Sequence, residues 1–203
     1  MDTLFELFWC VRIVNAFKNK RFKITKFLRF ERQKLFAKGT FEDLEFSLYH
    51  QGLDEKHFTL NQKYDEVKIP NEYGYLKRIG IAKHHVETVA VESNLKKEKS
   101  KSFSGGTPDI FLVIKKKNKI KKVLIGEVKN SKNNSVLRNG LRELIEYMVL
   151  LKKEDRYYLT SKNIFNSKNL NGLLFANSDS KIDYNKSNIN IFNPNKSIAV
   201  EEI

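Results

Sequence analysis

The chain has 203 residues, 40% of them hydrophobic, enough to bury a sizeable core, and one domain spanning 1–203 is the expectation. Its 38 Lys and Arg outnumber 24 Asp and Glu, a formal charge of +14, which points to a polyanionic partner: nucleic acid first, an anionic membrane surface second. A single cysteine, Cys10, excludes an internal disulfide, and no stretch approaches the roughly 18 apolar residues that a membrane span needs.

Leu4, Leu7, Phe8, Val11 and Val14 recur at helical spacing and predict a first helix with a buried stripe, which Trp9 and Cys10 join. Asp2 stands where a secretion signal would be basic, so the expected location is cytoplasmic. Residues 18–38 mix basic and aromatic side chains and read as a basic amphipathic helix. Its Lys26 and Arg29, with Arg21, Lys23 and Arg32, either lie along a phosphate backbone or form a solvated face. From Phe41 to Val91 the pattern is mixed, with short strands expected at residues 44–48 and 57–60, and residues 39–100 read as an elaboration of a core. His84, His85 and Glu87 match no strong metal-ligand spacing and read as surface residues. The lysine-rich run at 96–101 leads through Gly105-Gly106 towards Pro108-Asp109; it lacks the Gly-Lys-Ser/Thr ending of a phosphate-binding loop.

Two apolar runs, Ile110 to Ile114 and Val123 to Ile125, flank a polar lysine-rich segment and predict a hairpin. With the turn centred on Asn118, the residue nine places before it is Asp109 and the residue nine places after is Glu127, so the two carboxylates face each other across the strands. Like charges on cross-strand partners repel, and a divalent cation between them is the usual remedy. Side chains alternate along a strand, so Lys129 shares the face of Glu127 while Val128 points away. Asp109, Glu127 and the Val128 carbonyl together suit Mg²⁺, with Mn²⁺ as its substitute, and Lys129 would orient or help deprotonate a water. The plain alternative is a surface hairpin with solvated charges. Alternation in Ile110 to Ile114 nevertheless gives apolar side chains on both faces, as in a central strand.

A further helix is expected around residues 137–151, with Arg138 and Arg142 one turn apart, either clamping a phosphate or remaining in solvent. Residues 172–176 and 189–192 read as late strands between polar, Asn-rich loops.

Pro108-Asp109 and Glu127-Val128-Lys129 resemble the signature of the PD-(D/E)XK nuclease superfamily, which includes restriction endonucleases, Holliday junction resolvases and repair nucleases. The resemblance implies an α/β fold, a restriction-endonuclease-like αβββαβ core around a mixed sheet flanked by helices. It also implies an acidic contributor on the first helix, which Glu6 matches in position. Some members carry a polar residue and a Tyr on the later helix, which Glu143 or Glu146 and Tyr147 match. The expected function is therefore a Mg²⁺-dependent deoxyribonuclease, with RNA left open as a substrate and a homodimer as the arrangement that cuts both strands. Two rivals stay open: a catalytically silent nucleic-acid-binding module of the same fold, and a basic membrane-surface or assembly protein.

Overall fold

A computed structural model of the chain describes residues 2–27, 34–62, 74–93, 95, 106–160, 163–177, 188–195 and 198. Helix α1 (Asp2–Asn19) comes first, but the stripe expected to be buried is corrected: Leu4, Phe8 and Val11 are exposed and Leu7 is half-buried. The buried face is formed by Trp9, Cys10, Ile13, Val14 and Phe17, because the sheet covers the neighbouring side of the helix. It stops sharply at Arg21. Arg21 takes the left-handed conformation (φ 69°) and its N–H returns to the Lys18 carbonyl at 2.9 Å, while the Phe22 N–H reaches the Phe17 carbonyl at 3.1 Å. This is a Schellman stop, and the Phe17 and Phe22 rings, 5.0 Å apart and edge to face, supply its hydrophobic contact.

The basic helix expected over residues 18–38 is therefore corrected. After the stop the chain forms the strand β1 (Lys23–Phe27) and then β2 (Leu35–Phe41), paired antiparallel. Ile24 packs towards the core from β1 while the other four residues of the strand are exposed, so this edge strand carries almost no alternation for the sequence to reveal. Lys26 is an exposed residue of this edge strand; Arg29 and Arg32 lie outside the described residues.

Strands β3 (Leu44–His50) and β4 (Phe58–Thr59) follow, as expected from the short alternating runs. Helix α2 (Tyr75–Glu92) departs from the strands expected in this region: Arg78, Ala82, Val86, Val89 and Ala90 form its buried side, but small and polar residues dilute the periodicity. Next come β5 (Ile110–Lys116), β6 (Lys119–Lys129) and α3 (Asn134–Leu150), whose cap is the Asn133 side chain accepting the Ser135 N–H at 2.9 Å. Two short strands, β7 (Lys152–Lys153) and β8 (Arg156–Tyr157), precede β9 (Leu170–Ala176) and β10 (Ile189–Phe192).

The main sheet is mixed, seven strands in the order β1-β2-β3-β5-β6-β9-β10. From β1 to β6 neighbours are antiparallel; β9 runs parallel to β6, and β10 parallel to β9. Since β3 pairs with β5 over seven residues, residues 44–50 belong to the core sheet and are not an elaboration of it. Alternation along β5 sends Ile110 and Leu112 to the face covered by α1, and Phe111 and Val113 to the face covered by α2 and α3. Both faces are dry, as the double-sided apolar run implied. Among the described residues no helix is long and apolar enough to cross a membrane.

A small second sheet, β4-β7-β8, is tied to the helices by Arg78. Only 2% exposed, its guanidinium donates to the carbonyls of Val149 (2.6 Å) and Leu159 (2.5 Å) and lies 3.7 Å from the Tyr157 ring centre. Burial lowers its pKa to about 10, so it remains charged at neutral pH. Removing it would leave the buried Val149 carbonyl and the partly buried Leu159 carbonyl without this donor, at roughly 1–3 kcal/mol for a fully buried group and less for the other. Arg78→Met is expected to lower unfolding free energy by about 2–4 kcal/mol in urea titration; a change under about 0.5 kcal/mol would show that solvent reaches those carbonyls.

Candidate active site

The hairpin that carries the site closes by a two-residue turn at Lys117 and Asn118, both left-handed (φ 47° and 63°), the conformation whose twist suits a hairpin. A turn centred between these two residues would not by itself bring Asp109 opposite Glu127. One irregularity between Ile114 and Lys115 adds a residue on β6, and from there the pairs run Ile114↔Lys122 to Ile110↔Gly126. One step further sets Asp109 across from Glu127. The expected register thus holds, through a turn and a bulge rather than a three-residue turn.

Asp109 sits just before β5, where its Oδ2 accepts the Val128 N–H at 2.8 Å and its carbonyl accepts the Gln51 N–H at 2.8 Å. Glu127 is 3% exposed, and its Oε1 accepts from Lys129 Nζ at 2.6 Å. The same ammonium lies 2.7 Å from Glu143 Oε2 on α3. Val128 points away into the α1-side core, as strand alternation required.

Burial, and then the neighbouring Asp109 carboxyl, push Glu127 well above the usual carboxylate range, with Lys129 opposing. Burial also raises Asp109, against the Val128 hydrogen bond. Burial opposes the charge of Lys129, but Glu127 and Glu143 together lift its pKa above the ordinary value. Burial likewise opposes ionisation of Glu143, and Lys129 outweighs it, bringing that carboxyl down. Lys129 is therefore a fixed ammonium, suited to donating hydrogen bonds and poorly suited to removing a proton.

Glu6 reaches the same end of the sheet from α1. It is 6% exposed, and its Oε2 accepts from Gln51 Nε2 at 2.9 Å and lies 2.8 Å from His50 Nε2. Glu6 and Asp109 are near enough that each adds to the burial that pushes the Cys10 thiol upward, leaving Cys10 a buried, protonated thiol. No motif in the sequence marks His50 or Gln51. They stand at the end of β3, and only the pairing of β3 with β5 brings them to Asp109.

On α3, the Tyr147 hydroxyl lies 3.3 Å from the Thr107 carbonyl, and a Cβ at Gly106 would come within 2.8 Å of it. Burial first, then Glu127 and Glu143, push this phenol upward. Glu146 is 4% exposed, with an Oε2 that receives no hydrogen bond, and burial raises it to about 7. Arg138 and Arg142 depart from expectation. Both are buried: Arg138 pairs with Glu87 of α2, and Arg142 lies 3.7 Å from Glu143. They face the α2 side and the interior, so neither is the exposed phosphate clamp that one-turn spacing allowed. His85 stacks on Phe165 at 3.5 Å and is pushed down to about 4 by burial, a packed neutral ring.

Among the described residues no group of three or more His, Cys, Asp and Glu side chains is gathered closely enough to hold a metal. The donor set is smaller: two adjacent carboxyls with raised pKa, one of them bearing a buried oxygen, Glu127 Oε2, that receives no hydrogen bond. That chemistry fits a cation such as Mg²⁺, which takes one or two carboxylates and keeps waters or substrate oxygens for its other positions. Comparison of the chain with protein families, with curated proteins and with solved structures gives no match.

Two measurements probe this cluster. Because Glu146 is raised when folded, it costs nothing below about pH 4.5, where it is protonated folded and unfolded. The penalty grows as pH rises towards 7 and is constant above that. Glu146→Gln should therefore stabilise the protein by about 1–3 kcal/mol at pH 8 and by almost nothing at pH 4. Equal stabilisation at both pH values in denaturant titration would contradict a titrating Glu146. The second concerns Gly140, where a Cβ would meet the Lys129 stem at 2.6 Å and Leu174 at 3.1 Å. Gly140→Ala must push Lys129 aside, so its ammonium should separate from Glu127 and Glu143, visible as a shifted Lys129 Nζ resonance. An unmoved resonance would mean that the helix yields instead.

Proposed function

We propose that the chain is a metal-dependent nuclease that hydrolyses DNA phosphodiester bonds, with Asp109, Glu127 and Lys129 as its working residues. The observation that carries the reading is the pair of cross-strand carboxyls beside a fixed ammonium at one end of a dry central strand. Burying such charges is costly unless they are paired or bind a cation. Glu127 has one oxygen paired to Lys129 and one with no donor. Support also comes from the net charge of +14. Taken in chain order, α1, β3, β5, β6, α3 and β9 run in an αβββαβ sequence like that of the PD-(D/E)XK nucleases that the two motifs resemble. Strands β1, β2, β4, β7 and β8 and helix α2 lie between them and β10 after them, so the support is at the level of element order.

In this reading Asp109 and Glu127, with the Val128 carbonyl, hold Mg²⁺. When bound, the ion supplies positive charge to the scissile phosphate and makes water more acidic. Lys129 donates hydrogen bonds that orient the attacking water and stabilise the charge that gathers on phosphate oxygens. Glu143 positions Lys129 from α3. Glu6, gripped by His50 and Gln51, adds negative charge next to Asp109 and receives a hydrogen bond from a water at the site. Hydrolysis forms one phosphorus-oxygen bond to water and breaks one to the leaving nucleotide, the proton passing to solvent or the leaving oxygen.

The test is incubation with linear, supercoiled, single-stranded and branched DNA, in Mg²⁺, Mn²⁺ or chelator. Cleavage is expected with either metal and none with chelator, and Asp109→Ala and Lys129→Ala should each slow it by roughly 10²-fold or more. Intact DNA in every lane, with binding retained, would sink the enzyme and leave the binding module of the same fold.

A further inference from the structure

The strand registers sort charge between the two ends of the main sheet. Asp109, Glu127 and Glu6 gather at one end, where β5 begins and β6 finishes. At the other end lies the β5–β6 turn. Lys116 pairs with Lys119 across it, and Lys117 and Lys121 adjoin them. Two further registers bring distant segments there. Lys23 faces Thr40, which faces Glu45, which faces Lys115, so the start of β1 lies at the turn end. Val123 faces Leu170, so Lys168, just before β9, lies there too.

All six of these lysines, Lys23, Lys116, Lys117, Lys119, Lys121 and Lys168, are exposed. Among the described residues three acids share this end: Asp43 lies 3.7 Å from Lys116, Glu45 pairs with Lys38 at 2.9 Å, and Glu42 is exposed in the β2–β3 turn, so the exposed lysines outnumber the carboxylates two to one. We infer that this basic pole is a second nucleic-acid contact, a phosphate-backbone anchor set apart from the site at Asp109 and Glu127. This rests on the nuclease reading for its substrate and deepens it by locating where that substrate is held.

Separation follows from strand geometry. Seven residues of β5 divide Asp109 from Lys116, which at ~3.3 Å per residue is ~23 Å. A nucleic acid touching both ends must span that length, roughly seven base-pair steps of ~3.4 Å. Lysines on long flexible stems suit a repeating phosphate backbone, which is recognised by charge without reading sequence. An anionic membrane is the poorer fit, because stable surface binding adds apolar insertion to charge. Among the described residues the large exposed apolar side chains are Leu4, Phe8, Val11, Phe27, Leu76 and Val91, and Phe27 is at the far end of β1 from Lys23.

The experiment measures binding of a labelled 25-base-pair duplex in chelator from ~50 to ~200 mM salt, separately from cleavage in Mg²⁺. It compares wild type, Asp109→Ala, and two pole variants in which Lys116, Lys119 and Lys121 all become Glu or all become Gln. Both pole variants should bind at least ~10-fold more weakly at ~50 mM salt, with a salt slope shallower by about 2–3, since each phosphate no longer neutralised takes ~0.9 off its steepness. Asp109→Ala, which removes a carboxylate and no cation, should bind no more weakly than wild type. If the Gln variant, folded by circular dichroism, keeps wild-type affinity and slope, the anchor is overturned. It is overturned equally if wild type prefers vesicles of phosphatidylcholine with ~30% phosphatidylserine over the duplex. Weakened binding by the pole variants with no cleavage by wild type leaves the anchor standing and removes the nuclease alone.

Discussion

Every strand of the main sheet takes its place from the register of β5 against β6. A strand pair has a period of two, so a slip of one residue would send Asp109 away from Glu127 and turn the apolar side chains of β5 to the wrong cores. The turn at Lys117 and Asn118 and the bulge after Ile114 each shift the count by part of a residue pair, and only together do they place the carboxyls opposite one another. The neighbouring strands inherit this register: β3 brings His50 and Gln51 to Asp109, and β9 runs parallel beside Glu127 and Lys129.

Electrostatics makes the end of β6 unlike an ordinary sheet terminus. Four ionisable groups, Asp109, Glu127, Lys129 and Glu143, crowd where burial disfavours all of their charged forms. One ammonium serves one oxygen of each of two carboxyls, and the second oxygen of the more deeply buried one, Glu127 Oε2, has no donor. An uncompensated buried carboxyl is a standing cost to the fold, and such costs concentrate where chemistry is done. At the opposite end of the sheet six exposed lysines outnumber Glu42, Asp43 and Glu45. Charge is thus segregated along the strand direction, a feature that the overall +14 averages away.

Where expectation and structure part, the reasons are local and physical. Residues 18–38 carry basic and aromatic residues at spacings that allow a helix, but the Schellman stop at Arg21, fixed by Phe22 on Phe17, ends α1 and commits the chain to a strand. Arg adopts the left-handed position where Gly is usual, so no glycine marks the stop. Arg138 and Arg142 read as surface cations because Arg usually is one. Their burial depends on α2, whose weak periodicity hides the helix that supplies Glu87.

Alternation along a strand and chain distance across one turn are properties of the linear chain, and they suffice for the hairpin and the shared face of Glu127 and Lys129; the register came out as expected, but through a bulge that no residue marks. The apolar patterns of α3 and the late strands are strong and local, so these elements are legible in the same way; α1 is legible as a helix, but apolar residues surround it and its buried face is not. Packing between elements was needed to show that Glu143, and not only Glu127, holds Lys129, and that His50 and Gln51 grip Glu6, since those partners are 14 to 45 residues apart. It was needed as well to gather Lys23, Lys116 and Lys168 at one end of the sheet. A residue's side of its own strand follows from its position in the chain, but strand order and direction decide what stands next to it, and those exist only in the folded sheet.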